Sequence, residues 1–190
     1  MKDEFNTIEG GIYSIEVKKS KFVSRGFNVS TEDDAKKIIK ETKKKYRDAR
    51  HNVYAFSLLC GISRSSDDGE PSGTAGVQIL NVINKFDLKN VLIIVTRYFG
   101  GILLGTGNLA RAYFSCAHLM IENTQIIKNQ IYSEIELEFN YKEYNKILNS
   151  KNFLIKNVDF KKNVKVNFLV KKNEENQFKN NLGNLLSRDV

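Results

Sequence analysis

Apolar and charged positions partly alternate through residues 8–29, which predicts two strands, Ile8–Val17 and Lys21–Val29. The period then lengthens. Ala35, Ile38, Ile39, Thr42 and Tyr46 recur at three- and four-residue spacing on one face of a helix that Ser30 or Thr31 can cap, with Asp33 or Asp34 reaching back. Asn52–Leu59 reads as a third strand ending at Gly61, and Lys89–Thr96 (KNVLIIVT) is apolar enough for a central strand covered on both faces. Between them, Thr74–Phe86 sets Ala75, Ile79, Leu80, Ile83 and Phe86 on one helical stripe. Four glycines in eight residues (Gly100, Gly101, Gly105, Gly107) then precede a helix that Thr106 or Asn108 can cap and whose buried face takes Leu109, Tyr113, Cys116, Ala117 and Met120.

The pattern restarts at Ile131, which places a seam at Asn129-Gln130 and divides the chain into domains 1–128 and 131–190. Strand Ile131–Phe139 (IYSEIELEF), helix Tyr141–Leu148, strands Phe153–Phe160 and Val164–Val170, and helix Glu174–Leu186 give the order βαββα of a ferredoxin-like half-sandwich. Its closing strand is missing or reduced to Ser187–Val190. The fold class is therefore α+β, in two domains.

Charge adds a class of partner. The formal net charge is +8, and Lys36–Arg50 holds eight basic and two acidic residues, so Lys36, Lys40, Lys43, Lys44 and Arg47 form the outer, basic face of the first helix. Such a face neutralises phosphates and releases counterions, although a chain rich in Lys and Asn throughout carries part of that excess as background. The N-terminus has neither a basic n-region nor an apolar h-region, and the longest apolar strand-like run is Val91–Val95, which predicts a cytoplasmic protein that does not enter a membrane. Cys60 and Cys116 have no CxxC spacing and read as buried, reduced thiols.

Two segments carry the candidate chemistry. In SSDDGEPSGTAG, Ser65–Gly76, Pro71 holds Glu70 extended and presets a corner that Ser72-Gly73 completes, delivering the chain into the helix at Thr74. Asp68 and Glu70 either brace that corner or bind Arg97, Arg111 or a cation. His51 with Asp67, Asp68 and Glu70 lacks the paired His or Cys spacing of a metal centre, so neither metal nor cofactor is expected. In the second segment, strand, glycine turn and helix N-terminus together form an anion site, with Arg97 and Arg111 framing the N–H groups of Thr106 to Leu109. The spacing fits neither a Walker loop nor a GxGxxG fingerprint. Arg97, Tyr98 and Phe99 either grip a phosphate and stack on a base or pack the turn against the corner.

Taken together, ARHNVYAF, DDGEPSGTAG, VTRYFGG and LGTGNLARAY resemble the signature stretches of the Impact/YigZ family, in order and spacing, and the resemblance covers the whole chain. It implies an N-terminal domain like domain 2 of ribosomal protein S5 and a C-terminal domain like the last domain of elongation factor G. It also implies an association with translation control. The residues that carry over are His51, Asp68, Gly69, Glu70, Pro71, Gly73, Thr74, Gly76, Arg97, Tyr98, Phe99, Gly100, Gly101, Gly105, Gly107 and Arg111. Gln78, Leu103, Asn108 and Ala110 depart from the family's usual proline, lysine, glycine and valine, and Leu103 takes one positive charge from the glycine loop. The expected function is that of a non-catalytic protein recognising RNA, the ribosome or a translation-associated protein. The alternative is a phosphate-handling enzyme using the same loop.

Overall fold

The computed structural model describes residues 3–187 and divides into two compact units, Phe5–Asn129 and a second that joins Asp3 and Glu4 to the chain from Gln130. The first contains β2 (Gly10–Val17), β3 (Ser20–Asn28), α1 (Glu32–Lys45), β4 (His51–Ser57), β5 (Ser63–Ser66), α2 (Gly76–Lys85), β6 (Val91–Tyr98), α3 (Thr106–Glu122) and all but the outermost residue of β1 (Glu4–Thr7) and β7 (Ile127–Gln130). Strands β2, β3, β6, β4 and β5 form, in that order, a sheet antiparallel throughout, while β1 and β7 pair as a separate ribbon. The apolar run of β6 sits at the sheet's centre. Val91, Ile93 and Val95 turn into a core with α2 and α3, and Leu92 and Ile94 into a smaller core under α1.

Helix starts explain most boundaries. Thr31 rather than Ser30 caps α1: its hydroxyl accepts from the Asp34 amide at 3.1 Å, and the Asp34 carboxylate accepts from the Thr31 amide at 3.0 Å. Helix α2 begins at Gly76, two residues later than predicted, because Asp67 acts as its cap from outside the helix. One of its oxygens accepts from the amides of Ala75 (2.9 Å) and Gly76 (2.7 Å), the other from that of Gly73 (2.8 Å). No side chain caps α3, contrary to expectation; it follows Gly105 at φ 74°, and Asn108 instead donates back to the Leu104 carbonyl at 2.9 Å. Cys60 is exposed, not buried, since it lies in the turn after β4, whereas Cys116 is buried and desolvation raises its thiol pKa to about 11.

The second unit contains β8 (Tyr132–Phe139), α4 (Tyr141–Ser150), β9 (Ile155–Phe160), β10 (Val164–Lys171) and α5 (Glu175–Leu186). Its sheet order is β8-β10-β9, again antiparallel, around a core that includes Phe139, Ile147, Val166, Phe168, Phe178 and Leu182. Asn140 and Glu143 form a capping box on α4. Strand β8 alternates cleanly, and Glu134, Glu136 and Glu138 occupy its exposed face. Ser187 closes α5, and residues 188–190 of the expected final strand lie outside the described residues.

Candidate functional site

The end of β6 organises the site through strand register. Arg97 is paired across the sheet with Phe22 on β3 and His51 on β4, so the three side chains stand in one row on the face covered by α3. The Arg97 guanidinium lies 5.4 Å from the centroid of the Phe22 ring and 5.6 Å from that of Phe99. One Nη donates to Glu70 Oε1 at 2.7 Å and the other to Ser20 Oγ at 3.4 Å, while Nε is buried without a protein partner. Tyr113 on α3 donates its hydroxyl to the same Glu70 oxygen at 2.8 Å. Burial, then the Glu70 charge, drives the phenol well above its ordinary range, so it serves only as a donor. Glu70 itself is 8% exposed. Charge balance explains how a carboxylate is tolerated there, since it is paired and doubly hydrogen-bonded.

The corner carrying Glu70 is fixed on its other side. Asp68 and Gly69 both take positive φ (45° and 86°), which aims the Asp68 carbonyl at His51 Nδ1, 2.8 Å away. His51 Nε2 then lies 3.8 Å from Glu70 Oε2. The Asp68 carboxylate accepts from the Asn52 amide at 2.7 Å and pairs with Lys43, tying α1 to the corner. Asp67, capping α2, is raised by burial but lowered more by the amides of Gly76, Gly73 and Ala75, so its carboxyl titrates below its ordinary value of 3.8.

In front of this network opens a cleft of about 420 Å³, with Arg50, His51, Glu70 and Arg97 on its polar side and Pro71, Phe99, Leu103, Leu104 and Leu109 on its apolar side. Gly69, Gly105 and Thr106 complete it, so the uncapped start of α3 lies at its edge. The glycine turn is shaped by close approach: a Cβ on Gly100 would stand 2.0 Å from the Lys19 carbonyl, and the Gly100 amide donates to Ser20 Oγ at 3.2 Å. Gly101 and Gly105 have positive φ.

The structure thus brings together the corner and the glycine turn, with Glu70 bonded to Arg97. It does not bring Arg111 to them. Arg111 lies on the exposed side of α3, where it donates to Asn108 Oδ1 at 3.4 Å, because the helix turns Leu109, Ala112 and Tyr113 inward. Of the other predicted residues, Thr74 donates to the Pro71 carbonyl at 2.6 Å, Gly73 takes positive φ at the corner, and Gly76 leaves no room for a Cβ beside the Ser66 backbone. A Cβ on Gly107 would meet open space. Tyr98 faces away from the cleft, to the opposite side of the sheet. On α1, Lys36 pairs with Glu32 and Asp33, Lys43 with Asp68, and Lys40 and Lys44 are exposed; Arg47, also exposed, lies beyond the helix, which ends at Lys45, and not on its outer face as expected. Sequence reading missed Ser20, Arg50 and the polar role of Tyr113. For Tyr113 the signal was present, since a tyrosine on a buried stripe requires a partner for its hydroxyl. Among the described residues no group of His, Cys, Asp and Glu is arranged to hold a metal ion, and no helix is long and apolar enough to cross a membrane.

These same segments place the chain among known proteins: the Impact N-terminal domain matches residues 18–121. The chain belongs to the Impact family. The IMPACT family member YvyE of Bacillus subtilis (strain 168) is 36% identical over 179 residues, 92% of this chain and 82% of that protein. The IMPACT family member YigZ of Escherichia coli (strain K12) is 37% identical over 105 residues, 52% of this chain and 50% of that protein. A crystal structure of a hypothetical protein shares the fold with a TM-score of 0.81 at 26% identity, over 99% of this chain and 95% of that one.

Proposed function

We propose that this Impact family member is a non-catalytic binding protein linked to translation, and that its cleft receives a phosphate-bearing unit of RNA. Family membership, with the translation association that the resemblance implies, supports the setting. One observation carries the site: Arg97 Nε, buried and without a protein partner, lies beside the cleft at whose edge the uncapped α3 begins. Because Glu70 already neutralises Arg97, the attraction for an anion comes from the amides that open α3 and from Arg50. Phe99 and Leu103, 38% and 84% exposed, supply an apolar surface for a base. In this reading the first unit is the S5-domain-2-like module and the β8-α4-β9-β10-α5 unit a ferredoxin-like module, with domains 1–128 and 131–190. A phosphate-handling enzyme is the second reading, favoured by the orientation of His51 between the Asp68 carbonyl and Glu70.

The test is fluorescence anisotropy with a labelled single-stranded oligonucleotide across a salt series. The logarithm of affinity should fall steeply with that of salt, by about one unit per phosphate contact. Thr106→Asp places a carboxylate at the α3 start, where it suits the helix and repels a phosphate, and should weaken binding about tenfold without lowering the melting temperature. Unchanged affinity in that variant would refute the cleft as the site, and a shallow slope with tight mononucleotide binding would favour the enzyme.

A further inference from the structure

Arg97 and Tyr98 are successive residues on β6, so they point to opposite faces of the sheet, and each lines a different cavity. Tyr98 opens onto a groove of about 870 Å³ lined by Ile12, Ser14, Lys21, Val23 and Arg25 on β2 and β3. The groove exists because α1 covers only part of this face. Its core reaches Phe56, Leu58, Leu92 and Ile94 and extends to Phe27 at the end of β3, leaving β2 uncovered, with Ile12 68% exposed. We infer that this groove is a binding surface for single-stranded nucleic acid. The inference rests on the cleft reading only for the class of partner.

The chemistry of the groove selects that partner. Tyr98 and Lys21 are cross-strand neighbours, which sets an aromatic and a basic residue side by side on this face. Arg25 is held in place at the groove's far end: one Nη donates to Thr96 Oγ1 at 2.9 Å, Thr96 donates to Asn52 at 2.9 Å, and the guanidinium lies 3.9 Å from the Tyr46 ring centroid. Lys18 and Lys19 form the tip of the β2–β3 hairpin, and the Lys19 backbone is the surface on which Gly100 packs. That basic tip and the glycine turn therefore make one ridge at the same end of the sheet as the cleft. Two carboxylates lie near, Glu16 opposite Lys21 in register and Asp48 acting on Tyr98, against the cations Lys18, Lys19, Lys21 and Arg25. Cations spaced around an aromatic ring in a concave surface suit a backbone that runs past while a base turns in to stack. A duplex keeps its bases paired and cannot present one to Tyr98.

The test compares a uridine octanucleotide, a uridine mononucleotide and a duplex, each titrated by anisotropy against the intact chain, Tyr98→Leu, Lys21→Glu and the double variant Lys18→Glu/Lys19→Glu. Each change should weaken octanucleotide binding by about fivefold or more, the double variant should flatten the salt slope by up to about two units, and mononucleotide affinity should not move. Lys21, Lys18 and Lys19 are exposed, so their replacement leaves the fold intact even where Tyr98→Leu destabilises it. Octanucleotide affinity unchanged in the lysine variants, or a duplex bound as tightly as the single strand, overturns the inference. Thr106→Asp is read separately: loss there with silent lysine variants keeps the cleft and removes the groove, and the reverse keeps the groove and removes the cleft.

Discussion

Glu70 answers to three side chains at once, and the partners differ in what their loss should cost. Tyr113→Phe removes one neutral donor from a carboxylate that keeps Arg97, an expected destabilisation of about 1–2 kcal/mol. Arg97→Met leaves the carboxylate buried without its guanidinium partner, and about 3–5 kcal/mol is expected. Urea unfolding of both, with Glu70→Gln as the third member, checks the pair: Arg97→Met should cost much less when combined with Glu70→Gln, and simple additivity would show that the two side chains do not interact. The Glu70–Arg97 pairing was legible as one of the alternatives, because both segments leave strands at glycines and their charges are complementary. The placement of Arg111 was not. Its distance from Gly105 decided which side of α3 it occupies, and a one-residue uncertainty in where a helix starts rotates every side chain by about 100°.

Among the elements, α2 depends on a residue that is not part of it. Asp67 accepts three amides at the corner, and its carboxyl titrates low for that reason. A depressed carboxyl contributes stability above its unfolded value, near 3.8, and that contribution is lost as pH falls through the folded value. Asp67→Ala should therefore cost about 1–2 kcal/mol at neutral pH and progressively less as the pH falls below 3.8, in thermal melts recorded down the pH scale. A pH-independent loss would mean that the side chain acts by packing alone. Helix α1 was legible because its capping box is local, three residues apart; the cap of α2 comes from nine residues before Gly76 and has no such signature. Strands β1, β5 and β7 escaped for a related reason. Each is four residues long, and Ser63–Ser66 has no apolar position, so only its partner β4 makes it a strand.

For the whole molecule, each unit has its own apolar core, and a fragment ending at Gln130 should unfold in one cooperative transition and bind the octanucleotide within about threefold of the intact chain. A fragment that folds but does not bind would move the site to the second unit. The βαββα order of that unit was readable from its changes of period, β8 and β10 being strictly two-periodic, but the order β8-β10-β9 is a tertiary fact. It leaves β8 at the margin of its sheet among the described residues, with backbone groups along one side open to another strand. Should two copies of the chain meet antiparallel along that margin, centred on Glu136, each Glu136 would face its counterpart and each Glu134 would face a Glu138. The alternation that gives the second unit its core thus also lines this edge with glutamates, but Lys156 and Lys165 of the same sheet already pair with Glu134 and Glu136, so among the described residues only Glu138, held by Asn163, would set an unpaired carboxylate against a second copy.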